Sequence, residues 1–140
     1  MSDKTPKTAL TPATHTAPPA KFSHGVRKGN ILQVTGQVGF LPAVEGQAPT
    51  PAGPTLREQT LQTLANVKAI LEEGGASWDD VVFRRLYVLD MDAFIKIQTD
   101  PAMTFPWHPD RPPPSTLVGV TRLSHPDFLI EIDLFAVTGG

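Results

Sequence analysis

Apolar and polar positions along the chain follow two periods, and the changes between them divide it into elements. "ILQVTGQVGF" (31–40) alternates, with Leu32 and Val34 on one face and Ile31, Gln33 and Thr35 on the other, as in a half-buried strand. The preceding "FSHGVRKGN" ends in a Lys28-Gly29-Asn30 turn signal, so the two segments are predicted to pair as a hairpin. "LPAVEGQAPTPAGP" (41–54) is punctuated by prolines and glycines and reads as a loop. Thr55–Glu73 then changes to helical spacing, with Leu61, Leu64, Val67, Ile70 and Leu71 on one stripe. Thr55 and Glu58 have capping-box spacing at its start, and Gly74-Gly75 stops it.

Ser77 and Asp80 can cap a short turn into "VVFRRLYVL", a third strand. Asp90 caps a second helix, "MDAFIKIQ", with Phe94 and Ile97 inward and Pro101 ending it. "TLVGVTRL" and "FLIEIDLFAV" are the last two strands, joined at "SHPD". The order ββαβαββ predicts an α+β domain with two helices on one face of a sheet. The final strand has Phe128, Ile130, Ile132 and Leu134 on one face, and Leu129, Glu131, Asp133 and Phe135 on the other. With helices on one side only, the second row needs cover, and a homo-oligomer supplies it.

Composition narrows the class. At 140 residues the chain can bury a core without staples and reads as one domain over 21–138. Residues 1–20, mostly Thr, Pro, Ala and Lys, read as a disordered tail. The net charge is −2 and no basic run is present, which argues against a nucleic-acid partner. The absence of cysteine excludes disulfides, zinc-thiolate sites and thiol nucleophiles. No apolar stretch approaches the roughly 18 residues of a membrane span, and the N-terminus lacks a secretory pattern, so the expected address is cytoplasmic. His15, His24, His108 and His125 show no ligand spacing, and no metal site is expected.

Candidate chemistry gathers at a few positions. In "RPPPSTLVGV" (111–120), Pro112 to Pro114 cannot sit inside a paired strand, so a stiff arm leads straight into strand-forming residues. Arg111, Ser115 and Thr116 are the side chains such an arm could place. Glu131 lies mid-strand among apolar neighbours, where desolvation raises a carboxyl pKa and suits it to move protons. The same pattern fits a satisfied buried acid, or one paired with an arginine across an interface. Asp133 is nearer the strand end and reads as solvated or ion-paired. Gly36 in "TGQVG" reads as a close backbone approach rather than a phosphate cradle, since no GK[ST] ending follows. Trp107 reads as a plug holding its loop to the body, with stacking on a ligand as the alternative. Arg84 and Arg85, adjacent on a strand, point to opposite faces and so do not form one phosphate contact.

Taken together, "GNILQVTGQVGF", "REQTLQTLANVKAILEEGGASWDDVV", "YVLDMDAF", "STLVGVTRL" and "LIEIDLFAV" resemble the YjgF/Rid family, the reactive intermediate deaminases, over about Phe22 to Val137. The resemblance implies a chorismate-mutase-like fold. It also implies a homotrimer whose sheets line a central barrel, with a cleft at each subunit interface. Deaminases of the family hydrolyse enamine and imine intermediates, such as 2-aminoacrylate, to a 2-keto acid and ammonia without a cofactor.

Carried over position by position, the resemblance assigns Glu131 to positioning or activating water and Gly36 to a backbone approach to the ligand. Phe22, Gln98 and Leu117 stand where the family has tyrosine, asparagine and commonly cysteine. Ser115 stands where archetypal deaminases have the arginine that holds the substrate carboxylate bidentately, a task a serine cannot match in charge or geometry. Thr116, Arg111 and Trp107 complete the candidate substrate-binding set, with Arg111 as the candidate replacement cation. The reading is a divergent imine hydrolase acting on a small molecule, weak on 2-iminopropionate-type acids. The alternatives are a lyase or hydrolase of a neutral or ring-like substrate lined by Leu117, Phe22 and Trp107, and a non-catalytic ligand-binding trimer. The endoribonuclease label of some members fits least, given the acidic balance and few aromatics to stack bases.

Overall fold

A computed structural model describes residues 4–18 and 20–139. The strands are β1 (Lys7–Leu10), β2 (Gly25–Lys28), β3 (Ile31–Val38), β4 (Val81–Val88), β5 (Ser115–Gly119) and β6 (Ile130–Val137); the helices are α1 (Leu56–Glu73) and α2 (Met91–Thr99). One six-stranded mixed sheet runs in the order β1-β2-β3-β6-β4-β5, with β4 and β5 parallel and the other pairs antiparallel. Both helices back this sheet, so the fold is α+β as the patterning predicts.

Local signals set most of these elements. The β2–β3 hairpin turns at Gly29, whose φ of 62° lies in the left-handed region that favours glycine. At the start of α1, Glu58 N–H donates to Thr55 Oγ1 (3.2 Å) and Thr55 N–H donates to Glu58 Oε2 (3.1 Å), closing the capping box. The helix ends as Gly75 N–H reaches the Glu72 carbonyl and Ala76 N–H the Leu71 carbonyl. Asp90 Oδ1 accepts from Ala93 N–H at the start of α2. Between β3 and β4, the row Ile130, Ile132, Leu134 and Ala136 of β6 is buried in one core with Leu32, Val34, Val67, Ile70, Leu71, Leu86, Val88 and Phe94.

Part of the expected tail belongs to the fold. Lys7–Leu10 pairs with Gly25–Lys28 as an edge strand, and Leu10 is buried in the core, so the order is βββαβαββ. A four-residue edge strand with one buried side chain is too short for hydrophobic period to reveal. Leu61 also departs from its predicted stripe. It is 48% exposed, while Gln59, Thr60, Thr63 and Asn66 are buried in the same helix. Polar side chains occupy that face because each finds a hydrogen-bond partner there. β5 and β6 follow each other in sequence without pairing, since β4 lies beside β5 and β6 beside β4.

The face of the sheet away from the helices carries Glu131, Asp133 and Phe135, all half-buried. Arg85 Nε donates to both Asp133 oxygens (2.9 and 3.2 Å), and Tyr87 O–H donates to the same carboxylate (3.1 Å). Asp133 is thus ion-paired, as its position in the strand predicts.

Candidate active site

Glu131 is placed by an irregularity in the sheet. The β3–β6 register shifts between Val34 and Gln37, leaving Gly36 in the bulge with the Glu131 side chain directly over it. A Cβ at Gly36 would lie 2.6 Å from Glu131 Cδ and 2.7 Å from Oε2, so the carboxyl occupies the space that any other residue would fill. Buried polar groups of α1 hold both strands in this arrangement. Asn66 Nδ2 donates to the carbonyls of Val38 and Phe40, at 2.9 Å each. Gln59 accepts from Leu129 N–H (2.8 Å) and donates to the Asp127 carbonyl (2.7 Å), fixing the approach to β6. The Glu131 carboxyl opens on a cavity of about 340 Å³, lined also by Phe22, Gly36, Val38 and Phe128. Burial raises its pKa, and the charge of Asp133 adds to the shift.

His24 lines this cavity, with His15 packed against it. His15 Nε2 lies 2.9 Å from Gln37 Oε1, and His24 Nε2 lies 2.7 Å from the Thr16 carbonyl. Both partners only accept, so each histidine carries its proton on Nε2. His15 Nδ1 is then free to accept from Thr14 O–H (3.0 Å) and His24 Nδ1 from the Gln37 amide (3.4 Å). The rings meet edge-on at 4.8 Å. Fully bonded, the two histidines tie residues 14–16 to β3 one residue from Gly36, and burial lowers the His15 pKa. Their spacing in sequence shows none of this, because the contact joins segments that meet only through the sheet. No group of His, Asp or Glu placed to hold a metal ion occurs among the described residues.

A second cavity, of about 360 Å³, lies between β4, β5, α2 and the Trp107 loop. Gln98, Trp107, Ser115 and Leu117 line it, with Phe94 and Leu86 at its base. Ser115 is the register partner of Arg84, and Arg84 N–H donates to the Pro114 carbonyl (3.0 Å). The proline arm is therefore docked on β4 beside Arg84. Arg84 also lines this cavity, and its guanidinium stacks 4.2 Å over the Trp107 ring. Trp107 packs edge-on against Trp78 at 5.0 Å, so the plug expected from sequence also supports a cation.

The structure thus gathers Phe22, Gly36 and Glu131 at one cavity and Gln98, Ser115, Leu117 and Trp107 at another, with no lining residue shared. Thr116 and Arg111 line neither. Thr116 is exposed in register with Arg85, and Arg111 is exposed with Nη2 donating to Asp79 Oδ1 (3.3 Å). Arg84 was not among the residues singled out for the site. Alternation along the strand separates it from Arg85, but which of the two faces the cavity depends on the side the helices cover.

A mixed sheet backed by two helices, with a carboxyl seated over a bulged glycine, defines a small-molecule-scale site on an α+β scaffold. The sequence profile described as Endoribonuclease L-PSP matches residues 13–138, and the chain belongs to this family, the YjgF/RutC/Rid proteins. The 2-iminobutanoate/2-iminopropanoate deaminase of Escherichia coli is 33% identical over 127 residues, covering 89% of this chain and 94% of its own. A RutC family protein of Saccharolobus solfataricus is 34% identical over 119 residues, covering 85% and 88%. The crystal structure of yeast Mmf1 superposes with a TM-score of 0.80 at 25% identity, covering 96% of this chain and all of that one. No helix among the described residues is long and apolar enough to cross a membrane.

Proposed function

We propose that the protein is a cofactor-independent hydrolase of imines and their enamine tautomers. Water adds to the C=N carbon, the C–N bond breaks, and ammonia leaves as the C=O forms. Glu131 takes a proton from the attacking water and passes it to the nitrogen, then relays the hydroxyl proton of the resulting carbinolamine to the same nitrogen as it leaves. The observation that carries this reading is the Glu131 carboxyl held over Gly36 in a partly apolar cavity, where burial brings its pKa toward the range of a working acid–base group. The deaminase relative supports the same chemistry. The working cleft forms in a homotrimer, where the Glu131 cavity of one subunit meets the Ser115 cavity of the next. The half-buried outer row of β6 is the surface that such assembly covers.

The test is ammonia release from 2-aminoacrylate generated in situ, and from neutral and cyclic imines, by wild type and Glu131→Gln. Light scattering on both proteins reports the assembly, expected at three times the 15.1 kDa chain mass. Turnover should fall by about 10²–10⁴-fold in the variant, the usual share of a general acid–base group. Equal turnover removes Glu131 from the chemistry, and a stable monomer removes the interface cleft.

A further inference from the structure

Arg84 is the one charged side chain lining the second cavity, and its position is unusual for an arginine. Nε and Nη1 are buried and have no hydrogen-bond partner. The ion pairs of the described residues use other arginines: Arg57 with Asp100, Arg85 with Asp133, and Arg111 with Asp79. No carboxylate lines the cavity. A half-buried cation left unpaired is costly, and unmet buried donors in a folded protein call for a ligand or a partner. The guanidinium is also held for use, with one face against Trp107 and its backbone tied to the proline arm.

We propose that Arg84 is the anion anchor of the cleft, gripping the carboxylate of a small 2-oxo or 2-imino acid. A guanidinium stacked on a ring offers its edges to a ligand, and a planar carboxylate matches either edge with two parallel hydrogen bonds. Those edges, Nε with Nη2 or Nη1 with Nη2, share Nη2; Nε and Nη1 lie beneath the surface with their hydrogen bonds unmet, so a carboxylate that reaches Nη2 supplies the partner each edge lacks. Gln98 and Ser115 add neutral polar groups, while Leu86, Phe94 and Leu117 suit a short apolar substituent. A single cation with neutral neighbours fits a monoanion better than a phosphate dianion. The anchor thus comes from β4, one strand across from Ser115. Small imino acids then become substrates to expect, contrary to what Ser115 alone suggests. The imino-acid substrate rests on the hydrolase reading; the anion site does not.

The experiment is calorimetric titration of the assembled wild-type protein with 2-oxobutanoate and with its neutral primary amide, repeated on Arg84→Gln and Arg84→Lys. Wild type should prefer the acid, and Arg84→Gln should bind it on the order of 30-fold or more weakly while keeping its weak affinity for the amide. Arg84→Lys, which keeps the charge but not the fork, should fall between. Melting curves check folding, and removal of an unpaired, half-buried charge should leave Arg84→Gln about as stable as wild type. Equal affinity of wild type for acid and amide, or unchanged acid binding by Arg84→Gln, overturns the proposal. So does a wild type that binds no acid while Arg84→Gln loses its assembly, since the guanidinium then serves a neighbouring copy. Binding of a stable oxo acid needs no turnover. Acid binding without imine hydrolysis therefore overturns the hydrolase reading and leaves the anchor standing, and hydrolysis with Arg84→Gln unaffected does the reverse.

Discussion

Gly36→Ala isolates what the seat beneath Glu131 contributes. A methyl group at Gly36 would lie 2.6 Å from Glu131 Cδ, 2.7 Å from Oε2 and 2.9 Å from Cγ. Ordinary carbon contacts begin near 3.5 Å, so the carboxyl must move by about 1 Å. The backbone itself accepts alanine, because Gly36 is not among the glycines with positive φ. The unfolded chain loses freedom on this substitution, which favours folding by about 0.4–1 kcal/mol and offsets part of the crowding. The melting temperature is therefore expected to stay within about 4 °C of wild type. Misplacing a reacting group by about 1 Å can cost on the order of 10²-fold in rate, and that is the expected loss in kcat/KM for imine hydrolysis. The displaced carboxyl also gains solvent, so the acid limb of the pH–rate profile should move down toward the ordinary glutamate value of 4.5. Gly36→Ala combined with Glu131→Gln should be no slower than Glu131→Gln alone, since both act through one group. Wild-type kcat/KM with an unshifted acid limb in Gly36→Ala would refute the reasoning, because the carboxyl would then work equally well away from its seat.

Other expectations follow from the same geometry. The folded-state pKa of Glu131 is raised, so its charged form opposes folding at neutral pH and the penalty fades as pH falls toward 4.5; Glu131→Gln should raise Tm at pH 7 and lose that advantage near pH 4.5. Burial lowers the His15 pKa below 6.5, so the unfolded chain binds this proton more readily; stability should be full above pH 6.5 and decline below it, with a smaller decline in His15→Gln melts. Ser115→Arg places a second guanidinium beside Arg84, its register partner, so it should lower Tm and give no gain in turnover of small imino acids; a gain would show that β4 does not supply the anchor.

Much of the fold was legible in short stretches of sequence. Thr55 with Glu58, Ser77 with Asp80, Asp90 at α2 and Gly29 in the hairpin act on neighbours within a few residues, so their geometry follows from spacing alone. The alternation of β6 likewise announced a strand with one buried row and two carboxylates in the other. Resemblance to a family added Phe22, Gln98 and Leu117 to the candidate site and assigned roles to Glu131 and Gly36, which their places in the strands had already marked. What the sequence left open were relations between distant segments. Asn66 and Gln59 look like polar interruptions of a helix until the carbonyls of Val38, Phe40 and Asp127 arrive beside them. Lys7–Leu10 has too few apolar positions to declare itself a strand, and β2 supplies its ladder. The two histidines acquire a role only when residues 14–16 lie against Gln37. Arg84 and Arg85 show the same limit most plainly. Period 2 puts them on opposite faces, but only the packing of the helices and the Trp107 loop decided that Arg85 would meet Asp133 while Arg84 entered the cavity. Local patterns determine backbone conformation because their forces act over a turn or a pair of strands, whereas a side chain's chemistry depends on what the rest of the chain brings within a few ångströms.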